Sequence, residues 1–440
     1  MSNKKEYQAR RKRLMDMIGS DSIAILPTAS VHIRNRDVEF PFRPDSDFFY
    51  LTAYPEPEAV AVLIPDRDEG EFILFCREND IEMETWHGRR AGLDGALNTY
   101  NADDAFPIED MDDILPGLIE GHERIFYNMG NDQNFDQRVL GWVNQIRGKA
   151  RTGVVAPDEF ISLNHFLHDM RLYKSRHEIT LMRQAAKISA AAHKRVMAYC
   201  KPGMHEYQLE AELIHEFMQN GSRAAAYPSI VGSGENGCIL HYTDNRDEIA
   251  EGDLLLIDAG AEYHGYASDI TRTFPANGKF TTAQRQAYDL VLKAQLAAIG
   301  QVKPGNHWND PHDAAVRVLT EGMVEYGILK GDVDELIKDH VYTKYYMHRT
   351  GHWIGMDVHD VGDYKVDNEW RMLEPGMVLT IEPGLYMPAE TKGLPKKWWN
   401  IGIRIEDDVL VTKDGCEVLS KDAPKTAKEI EALMVRSDAA

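Results

Sequence analysis

The chain has 440 residues, 43% of them hydrophobic and 27% charged, enough for more than one buried core. Its 49 basic against 71 acidic residues give a formal charge of −22, which argues against general nucleic-acid binding and against adhesion to anionic membranes. The four scattered cysteines, Cys76, Cys200, Cys238 and Cys416, form no CxxC pair, which fits a reducing compartment rather than a zinc-finger or disulfide-stapled scaffold.

Near the N-terminus Leu14, Met15, Met17 and Ile18 are interrupted by Asp16 and Gly19, so the apolar core of a signal peptide is missing. The segment reads as a short amphipathic helix whose solvated face is Arg10-Arg11-Lys12-Arg13. No apolar run approaches the roughly 18 residues that span a bilayer, and a cytoplasmic protein is expected. Ile23 to Leu26, Val60 to Ile64, Phe72 to Cys76 and Arg124 to Tyr127 are short apolar runs bounded by charge or Gly/Pro, as in strands of a covered sheet. Asp132 to Ile146 has helical periodicity. From about Ile161 to Cys200 the pattern changes to long helices, with Ile179, Met182, Ala186 and Ile188 on one face and a capping box at Ser175 and Glu178. The expected class is α/β (α+β), with an N-terminal domain over 1–173 and a C-terminal domain over 174–440.

The second part contains an internal echo. Gly252 to Gly260 overlays Gly376 to Gly384, each reading glycine, an apolar-rich run, isoleucine, a carboxylate (Asp258, Glu382), a spacer and glycine. Two ordinary strands with acidic ends would look similar, but an unpaired carboxylate directly after a buried run is costly. After the first copy, Ile270 to Phe274 alternates like a returning strand, which makes a hairpin through Tyr263-His264-Gly265. A turn centred on Tyr263-His264 sets Asp258 directly opposite Asp269; one centred on His264-Gly265 leaves them diagonal neighbours. Two acids that close repel, which calls for a shared proton or a cation between them unless both are simply solvated turn residues.

Further on, a period of two puts Arg404, Glu406 and Asp408 on one strand face, where Arg404 beside Glu406 could be a plain ion pair. His348, His352 and His359 fall within twelve positions, and His241 follows the Gly-rich stretch from Gly232, giving four candidate imidazoles. One imidazole with Asp258, Asp269, Glu382 and Glu406 is a mostly hard donor set, suited to Mn²⁺, Mg²⁺, Fe²⁺, Co²⁺ or Zn²⁺ at a dinuclear centre. Two such ions about 3.5 to 4 Å apart can share carboxylates and a bridging hydroxide, a hydrolytic nucleophile at neutral pH.

In the order Asp258, Asp269, His352, Glu382, Glu406, these residues resemble the ligand series of the pita-bread metallopeptidases, which include methionine aminopeptidase, prolidase and aminopeptidase P. The stretches Ile230 to Asn236, His359 to Gly362, Ile401 to Asp408 and, near the N-terminus, Phe42-Arg43 with Asp47 to Thr52 are similar to the bacterial aminopeptidase P branch. The resemblance implies a pita-bread catalytic domain with a pseudo-twofold repeat. It also implies an exopeptidase that releases the residue before a proline in second position, with a prolidase-type dipeptidase or a non-catalytic binding protein as the alternatives. Two divalent ions per subunit are implied, Mn²⁺ first among them. Asp258 would bind one, His352 and Glu382 the other, and Asp269 and Glu406 both. Glu382 would also act on the bridging water. His241, His348 and His359 would hold substrate or move protons, and Arg404 and Tyr386 would support the metal-bound carboxylates. A homodimer or homotetramer is implied, with Asp37 and Trp86 as positions that reach a neighbour's site. The chain departs from the pattern at Arg349, where many relatives have glycine.

Overall fold

The structure, a computed structural model, describes residues 4–435. It divides into two compact units, one ending at Met170 and the other beginning at Arg171. Local bonding explains where the division falls. Met170 receives the Tyr50 hydroxyl on its carbonyl, whereas Arg171 and Lys174 both donate to the buried Asp360 carboxylate, at 2.6 and 2.9 Å.

The first unit opens with helix α1 (Lys4–Ile18). Its sheet contains β1 (Ser22–Pro27), β2 (Val60–Leu63), β3 (Phe72–Cys76), β4 (Asp104–Pro107), β5 (Arg124–Phe126) and, after helix α2 (Gln133–Gly148), β6 (Glu159–Ile161). The order across it is β4-β3-β2-β1-β5-β6, antiparallel at β1–β2 and β2–β3 and parallel elsewhere. Ile23, Ile25, Val62, Ile73 and Phe75 pack with Val139 and Val143 of α2 into one core.

The basic run of α1 is not one solvated face. Lys12 and Arg13 are exposed, but Arg10 and Arg11 are buried. Their Nη1 atoms donate to the carbonyls of Tyr50 and Leu51 at 3.0 and 2.8 Å, in the last turn of the helix Ser46–Thr52. Each guanidinium lies 4.0 Å from a ring centroid, Tyr50 for Arg10 and Phe72 for Arg11. Sequence periodicity registers such residues only as charge; stacking on rings and bonds to free helix-end carbonyls make burial tolerable.

The second unit begins with α3 (Arg176–Tyr199), capped reciprocally by Ser175 and Glu178, and α4 (Glu206–Gln219). Strands β7 (Ile230–Ser233), β8 (Leu254–Asp258), β9 (Ala261–Tyr263), β10 (Tyr266–Ala267) and β11 (Thr271–Pro275) form the first half. Helices α5 (Thr282–Ile299) and α6 (Asp310–Glu325) follow. The second half has β12 (Val378–Ile381), β13 (Gly384–Met387), β14 (Ile401–Arg404), β15 (Asp407–Thr412) and β16 (Gly415–Val418). Each half contains a three-stranded sheet, β7-β8-β11 in one and β12-β15-β16 in the other. Their buried faces and the helices share one core that includes Leu255, Ile257, Phe274, Leu379, Ile381 and Val409.

Candidate metal centre

The site forms where the β-ladders of the two halves are interrupted. In the first half β8 pairs with β11 up to Asp258 opposite Thr271, and β9 resumes pairing with β10 at Glu262 opposite Ala267. This register centres the turn on His264-Gly265, not Tyr263-His264, so Asp258 and Asp269 are diagonal rather than facing. Both turn residues have positive φ, 50° and 79°, and a two-residue turn of that kind favours glycine in second place. Between the two ladders, Gly260 lets the strands close up: a Cβ there would stand 1.7 Å from the Ser268 carbonyl oxygen.

The second half repeats the device. β12 pairs with β15 to Ile381 opposite Asp407, and β13 pairs with β14 from Gly384 opposite Arg404, which leaves Glu382 and Glu406 facing each other in the gap. Neither main chain is idle there. The Glu382 N–H donates to the Thr350 carbonyl at 2.8 Å and the Glu406 N–H to the Thr271 carbonyl at 3.1 Å, so the second bond ties the two halves together. His352 runs alongside β12, its N–H on Thr380 Oγ1 at 3.0 Å, and the same hydroxyl donates to Glu382 Oε1 at 3.2 Å.

All five proposed ligands line one cleft of about 470 Å³. One donor atom each from Asp269, His352 and Glu406 lies within 4.8 Å of the others. His352 Nε2 is 3.4 Å from Asp269 Oδ2 and 3.7 Å from Glu382 Oε1. Its Nδ1 lies 2.9 Å from the Trp353 carbonyl, which fixes a proton on that nitrogen and turns Nε2, the atom that could bind a metal, toward the acids. This is a donor set that fits hard divalent ions: four carboxylates and one correctly oriented imidazole.

Arg404 is buried under these acids. Its Nη2 donates to Asp258 Oδ2 at 2.6 Å, its Nη1 to the Tyr386 hydroxyl at 2.9 Å and its Nε to Thr271 Oγ1 at 3.1 Å. The same-face pair with Glu406 is therefore replaced by a pair with Asp258, and Thr271, whose hydroxyl donates to Glu406 Oε2 at 2.6 Å, mediates between Arg404 and Glu406. Tyr386 also meets His348 Nε2 at 2.8 Å, and His348 Nδ1 lies 2.7 Å from the Arg349 carbonyl. Burial and nearby Arg404 push His348 down to about 3, so it is neutral and its Nε2 accepts a hydrogen bond from the Tyr386 hydroxyl. His241 and His359 are exposed at the cleft, with the ring of His359 4.4 Å from that of His352. Asp37 and Trp86 lie on the first unit, both exposed, and are not among the residues that line the cleft.

Two contributors carry little sequence signal. Tyr227 donates its hydroxyl between Asp258 Oδ1, at 2.6 Å, and Asp269 Oδ1. A lone tyrosine before a strand does not announce this. Thr271 could have been found, since strand parity puts it on the same face as Asp269.

Residues 180–413 match the metallopeptidase family M24, and residues 7–127 match the aminopeptidase P N-terminal domain. The chain belongs to the metallopeptidase family M24. It is 45% identical to the Xaa-Pro aminopeptidase of Escherichia coli (strain K12), over 98% of either chain. It is 33% identical to the Xaa-Pro dipeptidase of Homo sapiens, over 91% of this chain and 85% of that one. The structure of aminopeptidase PepP from Pseudomonas aeruginosa matches with a TM-score of 0.99 at 58% identity, covering 100% of this chain and 99% of that one. The resemblance read from the five-residue ligand series is borne out, and membership of the family makes the chain a metal-dependent hydrolase.

Four largely buried acids this close repel one another and favour protonated forms unless cations lie among them. Burial and the neighbouring carboxylates raise Asp258 and Glu406 above the usual carboxylate range and Glu382 to about 7. Burial works against a charged His352, but Asp269 and Glu382 outweigh it and hold its proton up to about 9. Metal must displace these protons. Titration of metal-free protein with Mn²⁺ in buffers of different ionisation enthalpy should show net proton release near pH 7, with affinity climbing between pH 6 and pH 8. A pH-independent affinity without proton release would contradict the arrangement.

Proposed function

We propose that the protein releases the N-terminal amino acid from peptides with proline in second position. The observation that carries this is the convergence of Asp258, Asp269, His352, Glu382 and Glu406 on one cleft in a chain that also matches the aminopeptidase P N-terminal domain. We assign Asp258 to one metal position, His352 and Glu382 to the other, and Asp269 and Glu406 to both. A pair of divalent ions held there supplies a hydrolytic nucleophile at neutral pH and polarises the scissile carbonyl.

The remaining work falls to the chain's own groups. Glu382, which lines the cleft beside His352 and Asp269, would orient the nucleophile or take the proton it must lose. His241 and His359 line the same cleft and bind the peptide carbonyl oxygen, which gains charge as the nucleophile adds. His348, neutral and fixed on Tyr386, holds that hydroxyl and through it the Arg404 guanidinium. The acidic cleft favours the protonated amino terminus of a peptide. An Xaa-Pro bond offers no N–H and a fixed φ, so a site that grips the amine and the carbonyl suits it better than one that reads backbone donors.

Mn²⁺ is the proposed metal, supported by the predominance of oxygen donors. The cysteines are all unpaired, which supports a reducing, cytoplasmic setting. No described helix is long and apolar enough to cross a membrane. A homodimer or homotetramer is proposed, supported by the exposed Ile33, Val38, Phe40, Ile81 and Trp86 of the first unit. In that assembly Asp37 and Trp86 would face a neighbouring subunit's cleft.

The deciding experiment is paired metal analysis and peptide cleavage on one sample. Cleavage of an Xaa-Pro-Xaa tripeptide in preference to an Xaa-Pro dipeptide is the expected result. Preference for the dipeptide would favour the prolidase-type activity, and a folded protein that takes up no Mn²⁺ would favour a binding protein.

A further inference from the structure

The bend that presents Glu406 is held from behind by a guanidinium that the reaction scheme does not use. Arg272, on β11, is wholly buried and is not among the residues lining the cleft. Its Nη1 donates to the Glu406 carbonyl at 2.6 Å and to the Thr271 carbonyl at 2.9 Å. Its Nη2 donates to Asp407 Oδ1 at 2.7 Å and to the Ala423 carbonyl at 3.0 Å, and its Nε to the Pro424 carbonyl at 3.0 Å. All five N–H groups of the fork are used, so it cannot rotate without stranding a buried donor.

Asp407 is equally committed. Besides Arg272 it accepts from Ser420 Oγ at 2.6 Å, Gln295 Nε2 at 2.6 Å and Lys425 Nζ at 2.7 Å. The clamp thus grips Glu406 at its carbonyl and at the next side chain, while Thr271 takes its N–H. The Glu406 carboxylate itself is held on the cleft side by the Thr271 hydroxyl. Much of the clamp, from Ser420 to Lys425, lies beyond residue 413, where the family match ends.

We propose that Arg272 and Asp407 form a positioning strut that fixes the Glu406 carboxylate relative to Asp269 and His352, and that segment 420–425 is thereby part of the metal centre's support. The proposal rests on reading Glu406 as a metal ligand. Partners behind a ligand commonly carry about 10- to 100-fold in metal affinity when removed.

Lys425→Met and Ser420→Ala each remove one bond to Asp407 and leave the Arg272–Asp407 pair in place. The metal-free variants and wild type are titrated with Mn²⁺ by calorimetry, and their thermal unfolding is recorded without metal. The strut predicts metal-free variants that unfold at lowered temperatures yet stay folded at the assay temperature, Mn²⁺ affinity weakened by about 10-fold or more, turnover restored at saturating Mn²⁺, and an unchanged KM for peptide. Wild-type Mn²⁺ affinity in folded variants would overturn it. So would metal-free variants that are unfolded at the assay temperature, since the network would then serve global stability. Wild-type protein that binds no Mn²⁺ would instead remove the metal-centre reading itself, before any variant is compared.

Discussion

Glu406→Ala is expected to empty both metal positions together and to lower turnover by more than the about 10⁴-fold at the upper end for a lost acid–base group. Glu406 is 1% exposed, faces Glu382 across the ladder gap and lies within reach of Asp269 and His352. Among the described residues, the acids that line the cleft are Asp258, Asp269, Glu382 and Glu406, each already assigned to a metal position. Asp269→Ala should behave alike, since Asp269 is the other carboxylate assigned to both ions. Glu406→Gln is the informative companion: it keeps an acceptor for the Thr271 hydroxyl while removing the charge, so it should fold well and still bind metal poorly. Inductively coupled plasma analysis of purified protein decides the matter, and full metal content in either alanine variant would sink the shared-ligand assignment.

Arg404→Met is expected to destabilise the metal-free protein by about 3–5 kcal/mol, the usual result of removing one partner of a buried pair. The guanidinium pairs directly with Asp258, and its loss leaves that buried carboxylate beside Asp269 with the neutral Tyr227 hydroxyl but no positive partner. The effect should depend on pH. Without Arg404 the acids, already raised by burial and mutual repulsion, bind protons still more readily in the folded state than in the unfolded one. Stability then falls as pH rises through the window between the ordinary carboxylate value and the raised ones, the opposite of a salt-bridged acid. Denaturant unfolding of metal-free protein at pH 6 and pH 8 measures this, and an equal penalty at both would argue against charge as the cause.

Asp258 and Glu382 were legible in the sequence because each follows a buried apolar run, where an acid is conspicuous. Strand parity placed Arg404, Glu406 and Asp408 on one face, but parity cannot say what that face meets. The partner of Arg404 is Asp258, in the other half of the unit, and only the tertiary pairing reveals it. The hairpin register turned on a single residue: the positive φ demanded at both central positions selects His264-Gly265. Arg10 and Arg11 show the converse failure, since their burial depends on rings and carbonyls distant in sequence. Tyr227 and Arg272 were invisible for the same reason: each acts through partners that no local pattern brings near.

The paired interruptions of the ladders also set where the chain can change length. The stretch between β13 and β14 runs from Pro388 to Asn400 and returns to an unchanged register, so residues could be inserted at its exposed part, Glu390 to Gly393, ahead of the core residues Leu394 and Trp398, without moving a donor atom. A single insertion between Arg404 and Asp407, by contrast, would turn every following side chain to the opposite side of its sheet and carry Glu406 out of the cleft. Homologues should therefore vary freely in length at the first place and hardly at all at the second.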